Sequence, residues 1–326
     1  MIIDNFNRIH NYLRISLTDN CNLRCFYCMP EEDYSFMPQQ KMMQAHEIEG
    51  IARVFVEEGV NKIRLTGGEP MVRKDFDDIL RRLAGLQVPI TLTTNATQLH
   101  RYLVRMVESG IKSINISLDT LNKDRFMLMT KRDLFETVFG NIQKAIEKGI
   151  HVKVNVVVMK GINDEEILDF IEWTRHQPIQ VRFIEFMPFD GNRWDSHRVF
   201  TLQQILERVS NRFEFEALPA KPHETAKNFK VVGHLGSFAV ISTMSAPFCG
   251  DCNRMRLTAD GKMKNCLFSE SETDLLSAFR KGEDIKALIH ANIKTKKAAL
   301  GGQFTTEIDK IETASLHNRS MISIGG

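Results

Sequence analysis

The sequence predicts an α/β fold built as an incomplete (β/α)6 barrel, and three observations carry that reading. About six strand-like segments alternate with helices, several of the helices close at a glycine just before the next strand, and one face of the strands is polar. Alternation of strand and helix makes a parallel sheet. Eight such units close a full barrel, so about six leave one side open.

The elements follow in order. Apolar residues at helical spacing over residues 45–58 end at Gly59 and lead into a strand at 62–66. A helix closing at Gly110 precedes a strand at 113–119, and one closing at Gly149 precedes 151–159. Strands at 90–94 and 180–188 complete the set. Buried parallel strands ordinarily read as continuous apolar runs; these do not. Arg14, Ser16 and Thr18 share a face, as do Arg64 and Thr66, Thr91 and Thr93, Asn115, Ser117 and Asp119, and Lys153 and Asn155. The period-two rule packs the apolar face on the helices and turns the polar face into a lumen, where polar groups need water or a polar ligand. A sheet with one solvated face is the alternative, and the repeated helical crossovers argue against it. Past Pro188 the rhythm breaks: 189–197 is loop-like, 202–209 helical, 213–243 a set of short β segments and 274–297 helical, before a polar tail. The chain therefore divides into residues 1–190 and a C-terminal region, 191–326.

With 43 Lys and Arg against 41 Asp and Glu in 326 residues, no general field for nucleic acid or membrane is expected. The sequence shows no apolar run of signal-peptide or membrane-spanning type, which points to the cytoplasm. All six cysteines fall in two triplets, and in a reducing compartment such grouping points to metal.

Cys21, Cys25 and Cys28 form C-x3-C-x2-C directly after the first strand. Three thiolates on a four-iron cluster leave one iron without a protein ligand, whereas clusters in electron carriers are normally held by four Cys. Zinc is the alternative; zinc sites usually add a fourth Cys or His, and no His lies near this loop. A disulfide framework is unnecessary in a chain of this length. Cys249, Cys252 and Cys266 repeat the arrangement as C-x2-C-x13-C.

The first triplet, with the aromatic Tyr27 just before its last Cys, resembles the motif of the radical S-adenosylmethionine enzymes. In that family the open iron chelates S-adenosylmethionine, and one electron cleaves it to a 5′-deoxyadenosyl radical. Gly67-Gly68-Glu69-Pro70 follows the next strand. Alone it reads as a tight turn; the resemblance gives it a place facing the methionine amino group.

Arg14 and Arg64 project onto the polar face, and like cations there are costly unless an anion joins them. Arg254 and Arg256 flank Met255 just after Cys252, and Lys160 opens a loop after a long strand. Guanidinium groups match phosphate geometry. One substrate bearing several phosphates, lying between two clusters, accounts for all five.

Across nearly the whole chain, LRISLTDNCNLRCFYCMP, RLTGGEP, TLTTN, NISLD, VVVMKGIND, RFIEFMP, CGDCNRMRLTADGKMKNC and the terminal IGG resemble the GTP 3′,8-cyclase family of molybdenum cofactor biosynthesis. The resemblance implies an incomplete TIM-type barrel whose open side the C-terminal region covers. It implies two [4Fe-4S] clusters, on Cys21, Cys25 and Cys28 and on Cys249, Cys252 and Cys266. Tyr27, Gly68, Ser117 and Met187 would contact S-adenosylmethionine; Arg14, Arg64, Thr93, Lys160, Arg254, Met255 and Arg256 would contact GTP. Arg14, Arg254 and Arg256 with Gly325 and Gly326 form the implied catalytic set, the tail reaching the active site to position the ribose. The radical takes the 3′ hydrogen of GTP, C3′ bonds to C8, and a further electron and proton give 3′,8-cyclo-7,8-dihydro-GTP. Implied partners are a reductant protein, the cyclic pyranopterin monophosphate synthase that takes the product, and a possible second copy in a homodimer. The family usually has Arg at Asn20, Gly at Ala96 and Pro at Asn265; none of the three is a proposed ligand. A radical peptide-modifying enzyme and a zinc-stabilised, non-catalytic binding protein are the competing readings.

Overall fold

The computed structural model of the chain describes residues 1–29, 34–312 and 316–325. Among them, twelve strands form a single sheet. Its centre is the expected run: β1 (Tyr12–Ser16), β2 (Lys62–Thr66), β3 (Ile90–Thr94), β4 (Ser113–Ser117), β5 (His151–Val158) and β6 (Gln180–Glu185), each parallel to the next. Crossover helices connect them: α1 (Ala45–Glu57), α2 (Phe76–Ala84), α3 (Leu103–Glu108), the pair α4 (Lys123–Thr130) and α5 (Phe135–Glu147), and α6 (Ile167–Trp173). Gly59, Gly110 and Gly149 end their helices at φ 103°, 74° and 73°. Residues 186–188, read as part of the sixth strand, have already left the sheet.

The alternation sorts the side chains as expected. Leu13, Ile63, Leu92, Ile114, Val154 and Val181 are fully buried and pack in the main core with Phe55, Phe76 and Phe170 of the helices. At about 25 cal/mol per Å² of apolar surface removed from water, this face is what holds helices to sheet. The opposite face carries the polar set.

The strands past residue 190 join this same sheet. After α7 (Leu202–Ser210), β7 (Phe215–Ala217) and β8 (Lys227–Val231) lead antiparallel into β9 (Ser237–Ile241), which pairs parallel with β6. At the other edge β10 (Arg254–Leu257) pairs parallel with β1, and β11 (Lys262–Lys264) and β12 (Thr273–Asp274) follow antiparallel. The parallel run is therefore eight strands, β10, β1 to β6 and β9. Six were legible because β9 and β10 arrive through hairpins and loops instead of helical crossovers.

The helix read over 274–297 is two, α8 (Leu275–Arg280) and α9 (Lys286–Lys294). Gly282 at φ 73° ends the first, and the Asp284 carboxylate, accepting from Lys286 N at 2.9 Å, starts the second. Helix α8 lies tight on α1, where Arg280 Nε donates to Glu47 Oε1 at 2.6 Å. A short α10 (Met321–Ile324) precedes the C-terminal glycines. No helix of the described residues is long and apolar enough to cross a membrane.

Candidate active site between two cysteine loops

β1 runs directly into the first cysteine loop, and the turn after β2 braces it. Gly68 N donates to Thr18 O at 2.7 Å and Glu69 N to Asn20 O at 2.8 Å. A Cβ on Gly68 would stand 2.4 Å from Asn20 O, so the approach admits only glycine. The Glu69 carboxylate is fully buried. It accepts from Asn95 N at 2.6 Å, Thr94 Oγ1 at 2.8 Å and Met71 N at 3.1 Å, tying this turn to the end of β3. Burial pushes its carboxyl up to about 7 against those donors. Asn95 Nδ2 in turn reaches Cys21 Sγ at 3.6 Å.

Helix α4 holds the loop from the other side, with Arg24 N on Thr130 O at 2.8 Å and Phe26 N on Met129 O at 3.1 Å. Tyr27 OH donates to Asp119 Oδ2 at 2.6 Å, and Asp119 Oδ1 accepts from Val157 N at 2.8 Å. Burial pushes Asp119 up to about 6. It also raises the thiols: Cys21 to about 11 with Glu69 adding, and Cys25 and Cys28 well above their ordinary value with Cys21 and Asp119 adding.

Cys249 and Cys252 bracket a single helical turn just before β10, and Cys266 follows β11. Arg8 gathers this region from the N-terminus, Nη1 donating to Cys249 O at 2.7 Å and Ala298 O at 2.8 Å. Burial would raise the Cys252 thiol, but Arg254 and Lys296 outweigh it and bring it down to about 6. Asn265, where the related family usually has Pro, donates through Nδ2 to Asn292 O and Thr295 Oγ1, both at 2.9 Å. Proline has no such donor, so Asn here fastens the end of α9.

Between the loops lies the cationic face. Register sets Arg256, Arg14 and Arg64 side by side on three adjacent parallel strands. Farther along the sheet Asn115 aligns with Lys153, and Asn155 with Arg182. Arg64 Nη1 donates to Thr93 Oγ1 at 3.2 Å, and Arg182 grips Asn155 Oδ1 at 2.6 and 2.9 Å. Burial drives Arg14, Arg182 and Lys153 toward release of a proton. Arg14 falls well below its usual range with Arg256 adding, Arg182 falls to about 9 with Arg64 adding, and Lys153 to about 8 with Arg182 and Arg64 adding. Burial raises the Tyr12 phenol, yet Arg64 and Arg14 pull it down to about 7. Thr91 Oγ1 and Asn115 Oδ1 are buried here without a hydrogen-bond partner in the protein. Such a face favours an anion with many acceptor oxygens.

The tail closes over it. Arg319 binds Asp260 through two bonds of 2.9 and 3.0 Å and also pairs with Glu272. Ile324 is buried among Phe189, Phe268 and Leu300. Gly325, at φ 82°, accepts from Arg256 Nη1 at 2.6 Å, and a Cβ there would stand 2.3 Å from Thr66 Oγ1. Gly326 lies outside the described residues.

Lys160 is exposed on the loop after β5, its backbone N on Arg198 O; Lys153, seven residues earlier, is on the cationic face. Met255 is fully buried in the main core because alternation turns it away from Arg254 and Arg256, leaving only its backbone for a ligand. Arg256 is committed to Gly325 O as well as facing any substrate. Ser117 stands half-buried at the end of β4. Met187 packs with the group holding Phe26 and Tyr27 and with the group holding Cys249 and Cys266, so it sits between the loops. Ala96 holds the left-handed conformation, φ 62°, where the related family's Gly is at no disadvantage, and the Thr93 contact is intact beside it. Lys153 and Arg182 are functional candidates that motif reading missed; the strand alternation had already put Lys153 on this face.

Comparison with known proteins gives the family. A family model for the radical SAM superfamily matches residues 15–174, and one described as Molybdenum Cofactor Synthesis C matches residues 179–301. The mitochondrial GTP 3′,8-cyclase of Arabidopsis thaliana is 47% identical over 100% of this chain and 84% of its own length. A GTP 3′,8-cyclase of Listeria welshimeri is 38% identical over 100% and 99%. Molybdenum cofactor biosynthesis protein 1 of Mus musculus is 46% identical over 99% of this chain, which spans about half, 51%, of that protein. The crystal structure of Streptococcus suis SuiB bound to S-adenosylmethionine superposes with a TM-score of 0.61 at 16% identity, covering 97% of this chain and 77% of that one, a likeness of fold. Fold and site define a radical S-adenosylmethionine protein. Within that superfamily, the chain belongs to the GTP 3′,8-cyclase family.

Proposed function

We propose that this chain converts GTP to (8S)-3′,8-cyclo-7,8-dihydroguanosine 5′-triphosphate, a lyase reaction early in molybdenum cofactor biosynthesis. The observation that carries the reading is the row Arg256, Arg14 and Arg64, in register across three strands and flanked at opposite strand ends by the two cysteine loops. Tyr12 to Ser16 separates those ends by about 13 Å at strand rise. A nucleoside triphosphate lying across the face meets cations along its phosphates, with Lys153 and Arg182 extending the set and Lys160 kept as a further contact.

Each loop offers three thiols. Among the described residues, no three His, Cys, Asp or Glu close around a single ion, and the donor set fits a [4Fe-4S] cluster with three protein ligands. On this reading Cys21, Cys25 and Cys28 hold the first cluster, and Cys249, Cys252 and Cys266 the second. When bound, the first supplies the electron that cleaves S-adenosylmethionine to a 5′-deoxyadenosyl radical. The chain's own residues then do the aiming. Tyr27 fixed by Asp119, Gly68 against Asn20, and Ser117 and Met187 at strand ends shape the cofactor side; Arg14, Arg64, Thr93, Arg254, Arg256 and the Met255 backbone orient GTP. Gly325 and Gly326 bring the tail to the ribose, which is the positioning that joining C3′ to C8 requires.

The same reading treats the sheet as an incomplete TIM-type barrel of residues 1–190, covered on its open side by residues 191–326. It retains a reductant protein, the cyclic pyranopterin monophosphate synthase and a second copy as partners, and the cytoplasm as compartment. The test is anaerobic incubation of the reconstituted protein with dithionite, S-adenosylmethionine and each nucleoside triphosphate in turn. Cyclised product from GTP alone is expected; an iron-replete protein that leaves GTP unchanged overturns the proposal.

A further inference from the structure

Lys296 is buried, 5% exposed, two residues past the end of α9. Its ammonium stands 3.7 Å from Cys252 Sγ and 3.2 Å from Arg254 O, and also donates to Asn265 O. All three donors are therefore used, and they stitch the strand after Cys252 to the residue before Cys266. The ion pairs of this region join Lys262 and Lys264 to Asp260 and Glu272; none of those described includes Lys296. Asp4, the buried carboxylate behind Arg8, is taken by Arg8 and His10. Lys264 makes the contrast: equally buried, it has Glu272 at 3.5 Å.

A buried ammonium without a carboxylate needs another anion. Here the neighbouring group is the Cys252 sulfur, 3.7 Å away, which is a thiolate when it ligates metal. Asn265 holds the end of α9 through Asn292 and Thr295, which fixes the backbone that delivers Lys296. A cation and a hydrogen bond at a cluster sulfur favour the reduced, more negative state of the cluster.

We propose that Lys296 is a positioning residue of the second cysteine loop, whose ammonium, held 3.7 Å from Cys252 Sγ, raises the reduction potential of the cluster bound there. This rests on the reading of that loop as a cluster site. The holoenzyme, reconstituted anaerobically as wild type, Lys296→Met and Lys296→Arg, is assayed for iron and titrated potentiometrically with both cluster signals followed by electron paramagnetic resonance. Wild type with iron for only one cluster would refute the reading of the loop and not the role of Lys296. With iron for two clusters, Lys296→Met should shift one reduction equilibrium at least tenfold toward the oxidised form, about 59 mV for a one-electron couple, while Lys296→Arg stays near wild type. Unchanged potentials in a fully loaded Lys296→Met overturn the proposal. Iron loss from the second loop in Lys296→Met alone supports it; equal loss in both variants overturns it, because shape and not charge would then be what the loop requires.

Discussion

Cys21, Cys25 and Cys28 stand beside carboxyl groups, Glu69 and Asp119, whereas Cys252 stands between cations, Arg254 and Lys296. The donor sets are alike, three thiols each, so the difference lies in what surrounds them. Charge near a cluster sets how readily it takes an electron. Carboxyl neighbours suit a site that must be a strong reductant once reduced, and cations suit a site that receives an anionic substrate. The first loop is braced by strand ends and α4 from the N-terminal run; the second is held by Arg8 and by residues just past α9.

The sharpest way to break this comparison is to remove ligands from each loop. Cys→Ser at Cys21, Cys25 or Cys28 should abolish formation of 5′-deoxyadenosine, whereas Cys→Ser at Cys249, Cys252 or Cys266 should leave some uncoupled cleavage and no cyclised product. Equal loss from both sets in folded protein would erase the division. The tail comes next. Gly325→Ala puts a Cβ against Thr66 Oγ1 and should lower cyclisation about 100-fold, the cost of roughly 1 Å of misplacement, with iron content and melting temperature unchanged. Wild-type turnover by that variant would show that the tail does not position substrate.

Arg14→Ala, Arg254→Ala and Arg256→Ala each remove a charge facing the proposed triphosphate. Charge-assisted bonds are worth about 1.5–3 kcal/mol, so calorimetry should find GTP affinity down by about tenfold or more and S-adenosylmethionine affinity little changed. Lys153 gives a pH signature. Its free-state value is depressed to about 8, and a bound triphosphate raises it, so GTP affinity should fall as pH climbs through about 8. Lys153→Met should flatten that limb, and an unchanged limb in that variant would remove Lys153 from the site. The smallest effect concerns Ala96. A left-handed residue costs roughly 1–2 kcal/mol and glycine's looser unfolded chain takes part of that back, so Ala96→Gly should add up to about 1 kcal/mol in denaturant unfolding without altering activity.

Much of the site was legible because its chemistry needs particular residues at particular spacings. The two triplets, Gly68 and the polar alternation of β1 to β5 could be read directly. Other features depend on contacts that spacing does not encode. Nothing local to Glu69 says that its carboxylate turns inward to Asn95, and nothing near Lys296 says that it reaches Cys252. Lys153 was passed over because a loop motif at Lys160 outweighed the strand period, although that period had already placed Lys153 on the cationic face. Met255 follows the same rule, since a residue between two lumen-facing arginines must point to the core. The reach of β9 and β10 to opposite edges of the sheet is topology, and short hairpin strands give no signal of which edge they will join.

That topology bears on how the chain is made. β1 is among the first elements synthesised, yet its partner β10 begins with Arg254, paired to Tyr12. Pairings so distant in sequence form late and slow folding. Until they form, the nascent sheet presents two open parallel edges, β1 and β6, each a row of unpaired backbone groups that invites intermolecular pairing. A fragment ending near residue 190 would keep both edges permanently. The C-terminal region is thus a guard against aggregation, and chaperone demand during synthesis should peak before β10 emerges.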